Sequence, residues 1–188
     1  MSRAIFIDIE TNGLDPERHS VVEVAVVVVG AGDRIVQEFS SLADPGPTAL
    51  MATEPEALRV NGLTIEEIQA APPAVEVARK LKECLDGYKD YPIHAYHRNF
   101  DEDFLRRPPW EVKGLWGECV MEAAAKVMEY AGALRSRRHG KPKYPTLTEA
   151  AHYFGVAVEG LHRGLLDAKL LHRVYSALLR VRENVEDY

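Results

Sequence analysis

The stretch that decides the fold is Ala4-Ile5-Phe6-Ile7-Asp8-Ile9-Glu10-Thr11-Asn12-Gly13-Leu14. Residues 4–9 predict a buried strand, and Asn12-Gly13 predicts the turn after it. Side chains at positions i and i+2 of a strand point to the same face, so Asp8 and Glu10 project together from an apolar ribbon. Two like charges buried side by side need a proton or a bridging cation, and Mg²⁺ and Mn²⁺ prefer such oxygen ligands. The pair therefore predicts half of a metal site.

A solvated strand face is the alternative interpretation of an isolated Asp-x-Glu, because exposed carboxylates are the default in proteins. Two later segments decide between the two interpretations. Asp101 follows a predicted strand and lies in the first turn of a short predicted helix, where the helix dipole favours an anion. Asp167 lies near the start of the last predicted helix, and His162 precedes it by five residues. That spacing allows a loop histidine and a helix carboxylate to approach one site.

Length and composition indicate a globular protein. A chain of 188 residues is within the range of one domain, so we expect a single domain over residues 1–188. Its 46% hydrophobic and 28% charged content is typical of globular domains. No apolar run approaches the roughly 20 residues that span a bilayer, and the N-terminus has no export signal. We therefore expect a cytoplasmic protein with no membrane partner.

The formal net charge of −6 argues against a protein that coats nucleic acid through general electrostatics. It leaves a local binding site open. Basic residues are concentrated in one short segment that also contains Gly140 and Pro142, namely Arg135, Arg137, Arg138, Lys141 and Lys143. Two interpretations remain open: a loop that binds phosphates, and a solvated loop with no binding role.

The order of the predicted elements indicates an α/β domain with a mixed sheet. Residues 21–29 form a β-branched run that predicts a second strand, and residues 35–42 predict a third, antiparallel strand. Glu23 interrupts the second strand, and we interpret it as a structural hydrogen-bonding residue. Capping boxes at Thr64 and Thr146 predict helix starts, and Asn99 is predicted to cap a short helix. Longer helices are predicted over residues 74–85, 118–130 and 165–182.

Three motifs together resemble those of the DnaQ-like branch of the DEDD 3′-to-5′ exonucleases, the subgroup with a catalytic histidine. The first, Asp8-Ile9-Glu10-Thr11-Asn12-Gly13-Leu14, is similar to the family's D-x-E-T-x-G. The second runs from Ala95 to Leu105 around Asp101, and the third, His162-Arg163-x-x-x-Asp167-Ala168, is similar to H-R-x-x-x-D-A. The resemblance spans nearly the whole chain. It implies a ribonuclease H-like fold, in which a mixed β-sheet is flanked by helices.

Four carboxylates that converge on one pocket cannot all stay ionised alone. Two divalent ions, Mg²⁺ or Mn²⁺, about 4 Å apart would neutralise them and promote in-line phosphoryl displacement. We therefore assign Asp8, Glu10, Asp101 and Asp167 to metal binding. His162, with an unperturbed pKa near 6.5, suits a general base that takes a proton from the attacking water. Taken alone, His162 would be interpreted as a solvated loop histidine.

Substrate contacts are implied by the resemblance. The main chain around Thr11 would hold the 3′-terminal nucleotide, and Leu14 would wedge against its base. The alternatives are a turn residue for Thr11 and a core residue for Leu14. His97 stands where the family usually has Asn, four residues before Asp101, which alters the polar contacts expected near the substrate.

The resulting prediction is a free-standing enzyme that removes nucleotides one at a time from a nucleic acid with a free 3′ end. It would release 5′-mononucleotides, acting on single-stranded DNA in a proofreading or repair role. One alternative is an exoribonuclease that acts on RNA 3′ ends or short oligoribonucleotides. An alternative of another class is a catalytically silent nucleic-acid-binding module of a polymerase or repair complex. The presence of all five catalytic residue types argues against silence.

Overall fold

A five-stranded mixed sheet forms the centre of the protein. The computed structural model describes residues 3–134, 137–138, 141–159 and 163–186. The strands are β1 (Ala4–Thr11), β2 (Val21–Val29), β3 (Ile35–Leu42), β4 (Pro92–His94) and β5 (Leu115–Trp116). Their order is β3-β2-β1-β4-β5, with β1, β2 and β3 antiparallel and β4 and β5 parallel to β1. The predicted mixed sheet is confirmed.

Helices cover both faces of this sheet. The short helices are α1 (Pro47–Leu50), α2 (Pro55–Asn61), α3 (Ile65–Gln69) and α5 (Arg98–Leu105), and the longer helix beside them is α4 (Ala74–Asp86). The other layer contains α6 (Val120–Tyr130), α7 (Leu147–Tyr153) and α8 (Gly164–Glu186). Strand β1 serves both layers, because Ile5 and Ile7 pack with α4 while Phe6 packs with α6, α7 and α8. Strand β2 also contributes to both layers and is buried along its whole length.

Both predicted capping boxes are present. Thr64 accepts a hydrogen bond from the Glu67 amide at the start of α3, and Thr146 does the same with Glu149 at the start of α7. In each box the glutamate side chain bonds back to the main chain of the capping threonine. These local contacts lie within four consecutive residues, which is why the sequence alone predicts them.

The structure differs from the sequence-based predictions at several local points. Asn99 does not cap α5, because the helix begins at Arg98 and His97 is the preceding residue, which makes no side-chain capping bond. Helices α1 and α2 and the two-residue strand β5 were not predicted. The basic stretch contains a short antiparallel ribbon of β6 (Arg137–Arg138) and β7 (Lys141–Pro142) in place of a plain loop.

Within the described ranges, none of the helices is both long and apolar enough to cross a membrane. The cytoplasmic location and the single domain over residues 1–188 stay predictions.

Candidate active site

A carboxylate cluster lies where β1 meets the start of α8. Asp8 and Glu10 project from the same face of β1, and Asp167 lies in the first turn of α8. Each offers a carboxylate oxygen, and these oxygens all lie within 4.8 Å of one another. All three side chains are half-buried. The structure thus brings together three of the four predicted metal ligands.

Asp101 approaches the same cluster from α5, although it does not belong to the group within 4.8 Å. Strand β4 pairs with β1 only at Ile5 and Phe6, so β1 continues past its partner. The Asp101 carboxylate accepts a hydrogen bond from the main chain of Ile9 and another from its own amide. This buried carboxylate therefore bonds to β1 beyond the paired segment, beside the cluster.

Burial and neighbouring carboxylates raise the pKa values of Asp8, Glu10 and Asp101. Burial raises the pKa of Asp8 well above its usual range, and the charges of Asp101, Glu10, Asp167 and Glu23 raise it further. Burial, followed by the charges of Glu23 and Asp167, raises the pKa of Glu10 to about 7. Burial also raises the pKa of Asp101, against the lowering effect of its main-chain donors. Because the charged neighbours that shift Asp8 are all carboxylates, the cluster favours uptake of protons or of cations.

The donor set fits a hard divalent ion. Mg²⁺, Mn²⁺ and Ca²⁺ bind carboxylate oxygens, whereas zinc and copper sites are dominated by histidine and cysteine ligands. Asp8, Glu10 and Asp167 supply only carboxylate oxygens at mutual distances that one ion can bridge. These residues would hold the metal, with Asp101 beside them.

A cavity of about 300 Å³ adjoins the cluster. It lies between the end of β1 and helices α2 and α5, and its lining includes Glu10, Thr11, Leu14, Val60, Asn61 and Phe100. Leu14 is 74% exposed, so the alternative that it belongs to the core is excluded. The Thr11 hydroxyl donates to the carbonyl of Gly13 at 2.7 Å, which gives its side chain a turn-forming role.

Two buried asparagines shape this end of β1, and neither was predicted as a site residue. Asn61 donates to the carbonyl of Thr11 at 2.9 Å. Asn12 is fully buried, donates to the carbonyl of Ala49 at 2.9 Å and accepts from the amide of Ser20. Asn12-Gly13 and Asn61-Gly62 both look like ordinary turn pairs, so the sequence signal for these long-range bonds is weak.

The remaining predicted site residues fall in different places. His97 is exposed, and its ring centroid lies 5.9 Å from that of Phe100, which lines the cavity. His162 lies outside the described residues. The main chain of Arg137, Arg138 and Lys141 belongs to the β6–β7 ribbon, and their side chains lie outside the description.

The family model of the RNase T group, described as Exonuclease, matches residues 5–175. The chain belongs to this exonuclease family. The exonuclease is 28% identical over 180 residues to the DNA polymerase III subunit epsilon of Aquifex aeolicus, covering 93% of the chain and 79% of that protein. It is 27% identical over 179 residues to the PolC-type DNA polymerase III of Streptococcus suis, covering 94% of the chain. The chain spans only 11% of that polymerase.

Among solved structures, the exonuclease is similar to the nuclease domain of 3′hExo, a DEDDh family member bound to rAMP. The TM-score is 0.68 with 18% identity, covering 95% of the chain and 92% of that domain. The likeness confirms the predicted ribonuclease H-like fold. Family membership confirms the predicted enzyme class, an exonuclease, and implies the use of a divalent metal.

The raised pKa values predict that metal-free exonuclease loses stability as the pH rises. A carboxyl group whose pKa is higher in the folded than in the unfolded protein stabilises the fold while it is protonated. This contribution is complete below the unfolded-state pKa and is lost as the pH rises through the folded-state pKa. For Glu10 this window runs from 4.5 to about 7. We expect the metal-free melting temperature to fall between pH 5.5 and 8, and added Mn²⁺ to restore it. Calorimetry in EDTA and in Mn²⁺ measures both effects.

Glu10→Gln is the matched control, because it keeps the shape of the side chain and removes the charge. Its melting temperature should fall less over the same pH range and respond less to Mn²⁺. A parent protein that gains stability over this range relative to Glu10→Gln would contradict the electrostatic account.

Proposed function

We propose that this exonuclease removes nucleotides from the 3′ end of single-stranded DNA and releases 5′-monophosphates, using two divalent ions, Mg²⁺ or Mn²⁺. The observation that carries the proposal is a three-carboxylate cluster, with oxygens within 4.8 Å, directly beside a cavity of about 300 Å³. Glu10 belongs to both. A nucleotide held in the cavity therefore has its phosphate next to the metal-binding oxygens.

The cavity supports cleavage at an end rather than in the middle of a strand. Its volume is at the small end of the range for ligand pockets, which suits one terminal nucleotide. Leu14 offers an exposed apolar surface to the terminal base, and Phe100 and Val60 provide apolar walls. The bond that follows the terminal nucleotide is then the one presented to the carboxylates.

Each catalytic residue has a distinct role in the proposal. Asp8, Glu10 and Asp167 hold the ions, and Asp101 joins them from α5. The ions, when bound, supply positive charge that neutralises the carboxylates and stabilises the charge that develops on the phosphate. His162 takes a proton from the attacking water, which an imidazole does best near neutral pH.

Two alternatives are each supported by a relative. The solved 3′hExo nuclease domain is bound to rAMP, which supports an exoribonuclease, since a protein separates RNA from DNA through the 2′-hydroxyl. The PolC-type polymerase contains a similar segment within a much longer chain, which supports a module attached to a polymerase. The epsilon subunit and the PolC-type polymerase are both named as DNA polymerase III proteins, and these names favour DNA as the substrate.

Polarity and metal dependence give the direct test of this function. A 5′-labelled single-stranded oligomer should shorten as a ladder in Mg²⁺ or Mn²⁺, and EDTA should abolish the reaction. Matched DNA and RNA oligomers of one sequence measure the sugar preference. Asp8→Asn is the inactive control. Internal cuts on an oligomer with a blocked 3′ end, or full activity in EDTA, would overturn the proposal.

His162→Ala should lower turnover by roughly a hundredfold or more, because general-base contributions are of that order. It should leave Mn²⁺ affinity close to that of the parent, whereas Asp167→Asn should weaken Mn²⁺ binding. Single-turnover kinetics across pH 6 to 9 and calorimetric Mn²⁺ titration separate the two effects. Near-normal turnover of His162→Ala at every pH would remove the histidine from the mechanism.

The basic β6–β7 ribbon is proposed to contact phosphates upstream of the scissile bond. An acidic protein repels a polyanion, so positive surface near the path of the strand should offset that repulsion. Replacing Arg137, Arg138 and Lys141 together with Ala should raise KM for long oligomers, leave kcat nearly unchanged and reduce the salt dependence of binding. Dinucleotides are the control, because they are too short to reach the ribbon. An unchanged KM and salt slope for long oligomers would leave the ribbon with no binding role.

A further inference from the structure

Glu23 is a buried acid that the proposed mechanism does not use. It lies on β2 opposite Glu10 in the register of the sheet and is 5% exposed. Its Oε2 atom is buried and has no hydrogen-bond partner within the described part of the chain. Burying a carboxylate beside other carboxylates is costly, so a specific contact must compensate for it.

That contact is with the start of α8. The main-chain N–H of Gly164 donates a hydrogen bond to the Glu23 carboxylate, and the charge of Arg163 acts on the same group. A Cβ atom built on Gly164 would lie 3.1 Å from the Cβ of Ala25 and 3.3 Å from the Cδ of Glu23. The first residue of the helix therefore lies directly on β2.

Gly164 and Asp167 are three residues apart, so they share one side of the first helical turn. The charge of Asp167 raises the pKa values of both Asp8 and Glu10, so Asp167 and these two carboxylates repel one another. Without a bond at Gly164, this repulsion would move the helix end away from β1. Glu23 itself is not a member of the group of oxygens within 4.8 Å.

We propose that Glu23 is a positioning residue, which holds the start of α8 against β2 through Gly164 and thereby sets the distance of Asp167 from Asp8 and Glu10. The role rests on the proposed function, because its purpose is a cluster ready to bind divalent ions. The feature of Glu23 that positions the helix is the acceptor it offers to Gly164, while the charge of Arg163 favours the ionised form of Glu23.

Two substitutions at this position separate the acceptor from the charge. Glu23→Gln keeps an acceptor oxygen and loses the charge, whereas Glu23→Met keeps the length and loses the acceptor. In calorimetric titration with Mn²⁺ alone, Glu23→Gln should stay within about threefold of the parent, and Glu23→Met should bind roughly 10-fold to 100-fold more weakly. With a long oligomer, Glu23→Met should lower kcat and leave KM unchanged.

A second variant approaches the contact from the helix. Gly164→Ala leaves the carboxylate in place but inserts a methyl group against Ala25 and Glu23, so it should also weaken Mn²⁺ binding. Gly164→Ala combined with Glu23→Met should be no worse than the poorer single variant, because both break the same contact. If Glu23→Met fails to fold, the single variant Gly164→Ala still tests whether the contact affects Mn²⁺ binding.

Amide exchange in metal-free protein gives a readout independent of metal and of activity. The Gly164 N–H should exchange slowly in the parent and in Glu23→Gln, and fast in Glu23→Met. Parent-like Mn²⁺ affinity in Glu23→Met or in Gly164→Ala would overturn the positioning role, as would equal weakening by Glu23→Gln and Glu23→Met. If the Gly164 N–H of the parent protein exchanges slowly but the protein shortens no oligomer from its 3′ end, the proposed function is overturned and the positioning role remains.

Discussion

Repulsion among carboxylates at the end of β1 is the constraint on which the rest of the structure depends. Asp8 and Glu10 share a strand face, and the antiparallel register places Glu23 opposite Glu10. Asp101 and Asp167 then add two more negative charges from helices. The fold keeps these groups together by main-chain donors: the amide of Ile9 bonds to Asp101, and the amide of Gly164 bonds to Glu23. Because these donors are dipoles and not full charges, the cluster keeps its demand for cations.

The sheet makes this arrangement rigid. Strands β1 and β2 are covered on both faces, so the positions of Asp8 and Glu10 are set by packing along the whole strand rather than by a loop. The short β4 matters as much as the long strands. Since it ends at His94, β1 has a main-chain donor left over at Ile9, and Asp101 accepts from it. Because β4 is shorter than β1, the Asp101 carboxylate of α5 can bond to the end of β1 at the site.

The sequence predicts the parts of this structure that depend on local patterns. The bounds of β2 and β3 match the predicted strands because both are β-branched or alternating runs ended by turn residues. The capping boxes at Thr64 and Thr146 match for the same reason. The strand β5 was missed, because two residues carry no periodicity and the pairing with β4 alone defines them. Asn99 was wrongly placed, because it is a good capping residue by type but His97 precedes the helix.

Site residues divide in the same way. Asp8 and Glu10 are visible in the sequence because a strand period of two is local, while the approach of Asp167 depends on how α8 docks onto β2. The bond between Asn61 and Thr11 joins residues 50 positions apart, and no pattern in either segment predicts it. Tertiary contacts of this kind decide the shape of the cavity, so its walls were predicted less well than the carboxylate cluster beside it.

The acidic surroundings determine how a polyanionic substrate can be held. Glu54 and Glu56 line the cavity beside Glu10, and Arg59 pairs with Glu56. If a terminal nucleotide binds in this cavity as proposed, attraction between fixed charges would contribute little to its recognition, because so many carboxylates lie near its phosphate. Apolar contact, through Leu14 and its neighbours, remains as the source of affinity that does not depend on charge. Under the proposed function, apolar contact would hold the base, and the phosphate would be held only once cations neutralise the carboxylates.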